Sequence, residues 1–307
     1  MLKIVFMGTP AFSVPILEAL INNYQVIGVV TQPDKLVGRK KKLTSSPVKI
    51  CALKHNIPVF QPLKIRNDYE AIIALNPDLI VTAAYGQIVG MKLLNAPKYR
   101  SINVHASLLP KYRGGAPIQH AIKNGDKETG ITIMYMEKEM DAGDIINQRS
   151  LEIKEDDTAG SLFEKLSYLG RDLLLETIPL LINNQITPIA QNTLKATFAY
   201  NIKPSDEKLD FNKPALDVYN HIRALLPEPG AYFQLGEKVD DKIKVYASKV
   251  SNHHHQTKPG SLIKVAKDYF TIACGNNTSL DIYSVQPSGK KIMTSRDFIN
   301  GAFKKYL

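Results

Sequence analysis

The chain has 307 residues, 44% hydrophobic and 22% charged, which is the composition of an ordinary globular protein with room for more than one domain rather than of a disordered chain. Thirty-nine lysines and arginines against 29 acidic residues leave a formal net charge of +10, which suits a polyanionic partner but is also met by a general surplus of surface lysine. No apolar run approaches the length of a membrane span, and Met1 to Met7 is too soon interrupted by Gly8-Thr9-Pro10 to be a signal peptide, so a cytoplasmic protein with no membrane partner is expected.

From the N-terminus, strand and helix signals alternate. Strands are predicted at Lys3 to Met7, Val26 to Thr31, Pro58 to Phe60, Leu79 to Ala83, Ile102 to His105, Ile131 to Met136 and Ile145 to Ile153. Helical patterns fall at Val14 to Ile21, Val48 to Leu53, Tyr69 to Leu75 and Pro117 to Lys123. This order implies a Rossmann-like α/β domain with a mainly parallel sheet. Its first turn, Gly8-Thr9-Pro10-Ala11-Phe12-Ser13, lacks Gly-x-Gly-x-x-Gly, so a bound dinucleotide is not indicated. Cys51 and Cys274 are far apart and carry no ligand spacing, so reduced thiols are expected and a disulfide or metal site is not.

Gln32 to Ser46 reads as a loop, too long for a simple βα connection. Its five cations, Lys35, Arg39, Lys40, Lys41 and Lys42, suit contacts with nucleic-acid phosphates, although a solvated lysine run is an equal alternative on the residues alone.

The chemistry concentrates between Ser101 and Asp141, around Asn103-Val104-His105-Ala106-Ser107-Leu108-Leu109-Pro110 and Arg113-Gly114-Gly115-Ala116-Pro117. Asn103 and His105 are two apart, so an extended strand turns both toward one face, where they offer a hydrogen-bond donor beside a group that carries a proton near neutral pH. They sit where a strand opens into a loop, the usual ligand crevice of an open α/β sheet. About forty residues on, Met140-Asp141-Ala142-Gly143-Asp144 supplies carboxylates in a turn. If Ile131 to Met136 is a neighbouring strand, Asp141 reaches the imidazole of His105 and favours its charged form.

Beyond Asp144, Asp157-Thr158-Ala159-Gly160-Ser161 offers a helix start, with Ser161 and Glu164 at capping-box spacing and Leu162, Leu166, Leu169 and Leu173 forming a core-facing stripe. Polar residues and Pro188, Pro204 and Pro214 then break regular structure. The expected organisation is a catalytic domain over 1–188, a linker over 189–206 and a second domain over 207–307. The last is read as a helix at Ala215 to Leu226, short strands at Ala231 to Leu235, Ile243 to Val250, Ser261 to Val265, Tyr269 to Ala273 and Leu280 to Val285, and a helix at Thr294 to Lys305, which together suit a small OB-like β-barrel. Lys249, Lys264, Lys290 and Lys291 could line an RNA-facing surface of it. His253-His254-His255 lacks the spacing of a metal site, so no metal is expected.

Asn-x-His followed by Ser-Leu-Leu-Pro, Arg-Gly, Ala-Pro and Asp-x-Gly-Asp resembles the 10-formyltetrahydrofolate-dependent formyltransferases, most closely the members that act on methionyl-tRNA, and the likeness runs from Gly8-Thr9-Pro10 to Gly289-Lys290-Lys291. The resemblance implies 10-formyltetrahydrofolate as formyl donor, initiator methionyl-tRNA as acceptor, and Asn103, His105 and Asp141 as catalytic residues. It implies folate contacts at Ser107, Leu108, Leu109 and Pro110, with Gln87 and Val89 helping to enclose the pteridine through backbone groups. It also implies a basic insertion at Arg39, Lys40, Lys41 and Lys42 that meets the acceptor end of the tRNA, with Lys40 where the family commonly has glycine. A monomer is expected. A formyltransferase acting on a small amine such as glycinamide ribonucleotide or an amino sugar nucleotide, or a formyltetrahydrofolate hydrolase, would share the central block. A non-enzymatic RNA-binding protein would account for the charge but not for Asn103, His105 and Asp141.

Overall fold

The computed structural model describes residues 1–38, 41–234 and 242–301. The first part of the chain runs β1 (Lys3–Gly8), α1 (Val14–Asn23), β2 (Gln25–Val30), β3 (Lys35–Val37), β4 (Lys42–Thr44), α2 (Pro47–Lys54), β5 (Val59–Phe60), α3 (Glu70–Ala74), β6 (Leu79–Ala83), α4 (Met91–Leu94) and β7 (Ser101–His105). It continues through α5 (Pro117–Lys123), β8 (Glu128–Tyr135), β9 (Ile145–Glu152) and α6 (Ala159–Ile182). The chain divides into two compact units, one of residues 1–117, 128–152 and 163–200 and the other of 118–127, 153–162 and 201–307.

The first unit is built on one sheet in the order β5-β2-β1-β6-β7-β8-β9. In the order β5-β2-β1-β6-β7 the strands are parallel, whereas β8 pairs antiparallel with β7 and β9 antiparallel with β8, so the sheet is α/β and mainly parallel. β6, Leu-Ile-Val-Thr-Ala, is buried throughout, as the near-continuous apolar run of a strand covered on both faces requires. β9 lies at the edge and alternates in exposure. α6 covers β7 closely because Gly170 has no side chain, and a Cβ there would lie 2.9 Å from Cγ1 of Val104.

Two local readings change. The stretch after Thr31 is not irregular: β3 and β4 form a two-stranded antiparallel ribbon in which Lys35 faces Thr44 and Leu36 faces Leu43. The cross-strand leucine pair supplies a pairing signal that the flanking glycine and serines obscure. α6 starts within the stretch Asp157 to Ser161 read as its beginning, but its capping pair differs: Ser161 N–H donates to Oγ1 of Thr158 at 3.2 Å and Thr158 N–H to Oγ of Ser161 at 3.0 Å. The reciprocal cap therefore links Thr158 and Ser161 rather than Ser161 and Glu164.

The second unit holds α7 (Ala215–Ala224) and the strands β10 (Tyr232–Gln234), β11 (Lys242–Ser251), β12 (Leu262–Val265), β13 (Phe270–Ala273), β14 (Ser279–Pro287) and β15 (Met293–Thr294), followed by α8 (Ser295–Asn300). The sheet is antiparallel in the order β10-β11-β14-β13-β12, with β15 on β14. Val218 and Ile222 of α7 and Phe298 of α8 join Ile243, Val245, Phe270 and Ile282 in its core. Leu235 and the end of the predicted last helix, through Lys305, lie outside the described residues.

His255 has a structural place in this unit. It is buried, and its Nε2 lies 2.6 Å from the carbonyl of Thr278. Both cysteines are buried free thiols, and burial pushes that of Cys274 up to about 12. Among the described residues no helix is long and apolar enough to cross a membrane.

Candidate active site

β7 places Asn103 and His105 on one face, as the two-residue spacing requires, and the neighbouring strands fix what each can do. Thr82 of β6, opposite Asn103 in the ladder, lies with its hydroxyl 2.7 Å from Oδ1 of Asn103. A hydroxyl donating there sets the amide's orientation and leaves Nδ2, which bonds to nothing among the described residues, as an available donor. His105 is 6% exposed, and its Nε2 lies 2.9 Å from the carbonyl oxygen of Tyr112. A carbonyl only accepts, so Nε2 carries a proton and the neutral ring leaves Nδ1 as the open nitrogen.

Nδ1 faces Oδ2 of Asp141 at 3.6 Å. The carboxylate arrives by a route the sequence did not indicate. β8 is antiparallel to β7, with Ile102 opposite Tyr135, so the chain leaves β8 near the start of β7 and the loop from Met136 must return over the sheet to reach His105. Three anchors hold that loop. Gly114 N–H donates to Oδ2 of Asp141 at 2.8 Å, and Nε2 of Gln191 donates to the carbonyls of Asp141 and Gly143 at 2.8 and 2.7 Å. Gly143 closes against Tyr135, where a Cβ would meet the carbonyl oxygen at 2.0 Å. Asp141 itself adopts φ 52, a left-handed conformation that aspartate tolerates better than most residues.

Oε1 of Gln191 accepts from Nε and Nη2 of Arg113 at 3.1 and 2.9 Å, and Arg113 is only 2% exposed. A buried guanidinium thus ends on a side-chain amide, which in turn grips the Asp141 loop. Residues 197–199 run beside 112–114: Arg113 N–H donates to the carbonyl of Thr197 and Ala199 N–H to that of Arg113, both at 2.8 Å, and Tyr112 N–H to Oγ1 of Thr197 at 2.9 Å. The stretch expected to be a linker accordingly contributes Gln191 and Thr197 to the first unit.

The loop after His105 hangs on one hydroxyl. Thr132 of β8 is fully buried opposite His105, and its Oγ1 donates to the carbonyl of Ser107 at 2.6 Å. The same oxygen accepts from Leu109 N–H at 3.2 Å and from Nε2 of Gln148 at 2.7 Å, which uses its full hydrogen-bonding capacity. Oγ of Ser107 donates to the carbonyl of Lys111, and Ser107 and Leu109 are buried while Leu108 and Pro110 are half-buried, so the latter two form the open edge of the loop.

A second turn follows β6. Ala84 and Gly86 have φ of 47 and 86, and the backbone N–H and C=O groups of residues 86–89 bond to nothing among the described residues. The side chain of Gln87 turns away to Ile65 N–H and the carbonyl of Pro62, and Val89 is buried in the core. Free backbone edges and occupied side chains are what a turn that meets a flat heterocycle through its main chain would present.

The basic ribbon stands apart from these groups in sequence, but its root is fixed. Asp34 pairs with Lys49 at 2.7 Å and accepts from Gln61 at 2.9 Å, and these partners hold its carboxyl below the usual carboxylate range. Lys41 and Lys42 are exposed, while Arg39 and Lys40 lie outside the described residues. Of the polar groups that shape the site, Thr82, Thr132, Gln148 and Gln191 were missed from sequence. Thr132 left a trace as the single threonine in the apolar run Ile131 to Met136, and Gln191 left none.

An amide donor, an imidazole and a carboxylate gathered on an α/β sheet suit acyl transfer, in which an oxygen takes up charge and a proton must move. A family model described as formyl transferase matches residues 2–178, and one described as formyl transferase, C-terminal domain, matches residues 201–302. The chain belongs to the formyl transferase family. It is 53% identical to methionyl-tRNA formyltransferase of Bacillus cytotoxicus over 98% of this chain and 96% of that protein. It is 54% identical, over the same shares, to methionyl-tRNA formyltransferase of Bacillus mycoides. Among solved structures it is similar in fold, at a TM-score of 0.69 and 23% identity over 92% of this chain and 99% of the other, to an N-formyltransferase from Helicobacter canadensis in complex with folinic acid and dTDP-3-aminofucose. A sugar 3N-formyl transferase crystallised in the presence of dTDP and 5-N-formyl-THF gives a TM-score of 0.69 at 22% identity, covering 92% of this chain and 97% of that one.

Proposed function

We propose that this protein transfers the formyl group of 10-formyltetrahydrofolate to the amino group of the methionyl moiety of initiator methionyl-tRNA, the modification that marks the first residue in translation. The observation that carries the chemistry is the free Nδ2 of Asn103, aimed by Thr82, on the same strand face as the open Nδ1 of His105. Full-length relatives that share just over half of this sequence and carry that name support the acceptor, as does the ribbon bearing Lys41 and Lys42.

The folate co-substrate supplies a formyl carbon activated by its bond to nitrogen. As the acceptor amine adds to that carbon, the carbonyl oxygen becomes anionic, and the bond to the folate nitrogen then breaks as that nitrogen takes the proton that the amine has given up to Asp141. Asn103 Nδ2 donates to the oxyanion, and His105 adds a second donor from Nδ1 when its ring is the imidazolium, protonated on both nitrogens, each such donor typically lowering the barrier by about 3 kcal/mol. Tyr112 fixes the imidazole by holding its Nε2 proton, so ring rotation does not compete with catalysis. Asp141 lies across Nδ1 and takes the proton the amine must lose, directly or through one water.

Leu108 and Pro110 offer an apolar edge to the folate, with Ser107 and Leu109 supporting it from beneath. Main-chain groups of residues 86–89, Gln87 and Val89 among them, meet the heterocycle. Arg39, Lys40, Lys41 and Lys42 meet tRNA phosphates. Residues 1–188 act as the catalytic domain, 189–206 as its connection, and 207–307 as an OB-like tRNA-binding domain, in a cytoplasmic monomer that requires no metal.

Formyl transfer from 10-formyltetrahydrofolate is to be followed on initiator methionyl-tRNA, elongator methionyl-tRNA, free methionine and an amino sugar nucleotide at one salt concentration. Product on the initiator, reduced about 100-fold or more by Asn103→Ala and by Asp141→Asn, is the expected result. Product on the amino sugar alone would overturn the acceptor, and near-normal turnover of either variant would remove that residue from the mechanism.

A further inference from the structure

Phe198 and Tyr200 form a parallel stack in plain view of solvent. Their ring centroids are 5.9 Å apart with planes inclined by 7°, and they are 48% and 64% exposed. Scattered exposed aromatics need no explanation, but a parallel pair on a fixed support presents a flat π surface.

The support is the strip that runs beside the catalytic loop. Phe198 is bridged in parallel to Arg113, the flanking Thr197 and Ala199 exchange hydrogen bonds with residues 110–116, and Ala199 is fully buried. In an extended strip residues two apart share a face, so burying Ala199 turns Phe198 and Tyr200 outward together. The backbone they border is the one whose Tyr112 carbonyl holds His105 and whose Gly114 N–H holds Asp141. Exposed Lys111 lies between the residues bonded to Thr197, and exposed Lys195 lies two residues before it. None of these side chains has a part in the chemistry above.

We infer that Phe198 and Tyr200 form a stacking platform for the unpaired bases at the 3′ end of the tRNA acceptor, with Lys111 and Lys195 meeting the adjoining phosphates. The inference rests on the proposed acceptor. Any tRNA carries its amino acid on a short single strand, and delivering the amine to a fixed formyl carbon requires that strand to be held close to the reacting groups. Aromatic faces with neighbouring cations bind single strands without regard to base identity, which suits an end shared by all tRNAs. Discrimination of the initiator therefore lies elsewhere, and the platform aligns rather than selects.

The test uses the full chain and an RNA stem ending in a four-nucleotide 3′ single strand whose last adenine is replaced by 2-aminopurine. Stacking on the platform quenches the probe on binding. Phe198→Leu with Tyr200→Leu keeps apolar bulk and removes the π faces, and is expected to abolish most of the quench and to raise KM for methionyl-tRNA about tenfold while KM for the folate stays put. The single variant Phe198→Tyr keeps an aromatic face and is expected to retain both the quench and the wild-type KM, which separates stacking from a folding defect. An undiminished quench in the double leucine variant, or equal changes in both KM values, overturns the platform. Transfer by the wild type to methionyl-tRNA without any quench likewise defeats the platform alone, whereas quench without transfer defeats the proposed acceptor and leaves an RNA-stacking surface.

Discussion

Replacing Gln191 with leucine removes four hydrogen bonds at similar side-chain volume. Two of them satisfy the buried guanidinium of Arg113, whose remaining carboxylate neighbour, Glu139, is exposed and 3.7 Å away. Bonds to a charged group are worth about 1.5–3 kcal/mol each, and the two carbonyls of the Asp141 loop lose about 1 kcal/mol each. The sum, roughly 5–8 kcal/mol, is an upper bound because the four bonds share one side chain and water reaches the loop once it opens. Gly114 N–H still holds Asp141, so about 1.5–3 kcal/mol is expected to reach the reacting groups, a fall in kcat of about 10- to 160-fold. The Ser107 to Pro110 loop is held separately by Thr132 and Gln148, so KM for the folate should stay within about twofold. Steady-state formyl transfer at saturating substrates, with hydrogen exchange over residues 137–144, reads both effects. Unchanged kcat with faster exchange in that loop would mean that Asp141 needs no placement, and the positioning argument would fail.

Thr132→Val leaves the Ser107 carbonyl and the Leu109 N–H unpaired, at a cost of about 2–4 kcal/mol, so KM for the folate should rise and the urea midpoint should drop; a change below about 1 kcal/mol would show that the loop finds other partners. Burial, reinforced by the charge of Lys123, holds the imidazole of His221 below its usual range while its Nε2 bonds to the carbonyl of Asp206. The unfolded chain then binds more protons than the folded one as pH falls below 6.5, so thermal stability should decline across that window and His221→Gln should flatten the decline; an unaltered slope would place the cause elsewhere. Lys41→Gln with Lys42→Gln should reduce the slope of log kcat/KM for tRNA against log salt by up to about 0.7–0.9 for each phosphate no longer neutralised, and identical slopes would leave the ribbon a solvated surface.

The sequence by itself carried the order of elements, because helix and strand periodicities are local and the central strands are apolar runs with few rivals. It also carried the face shared by Asn103 and His105, since a two-residue step on a strand admits one geometry. The direction of β8 was not local information: Ile131 to Met136 reads as a strand either way, and only the sheet decides that it runs antiparallel and that Asp141 must come back over the site. The ribbon at Lys35 to Thr44 was hidden by turn-forming residues around a short apolar pair. Gln191 was illegible for a deeper reason. Nothing in a polar stretch between two prolines distinguishes it from a solvated glutamine, and its role exists only because the fold buries Arg113, 78 residues earlier, where a guanidinium cannot remain without an acceptor. Residue identity determined which chemistry was available, and the tertiary structure decided which hydrogen-bonding atoms were consumed in support and which, at Asn103 Nδ2 and His105 Nδ1, were left to act.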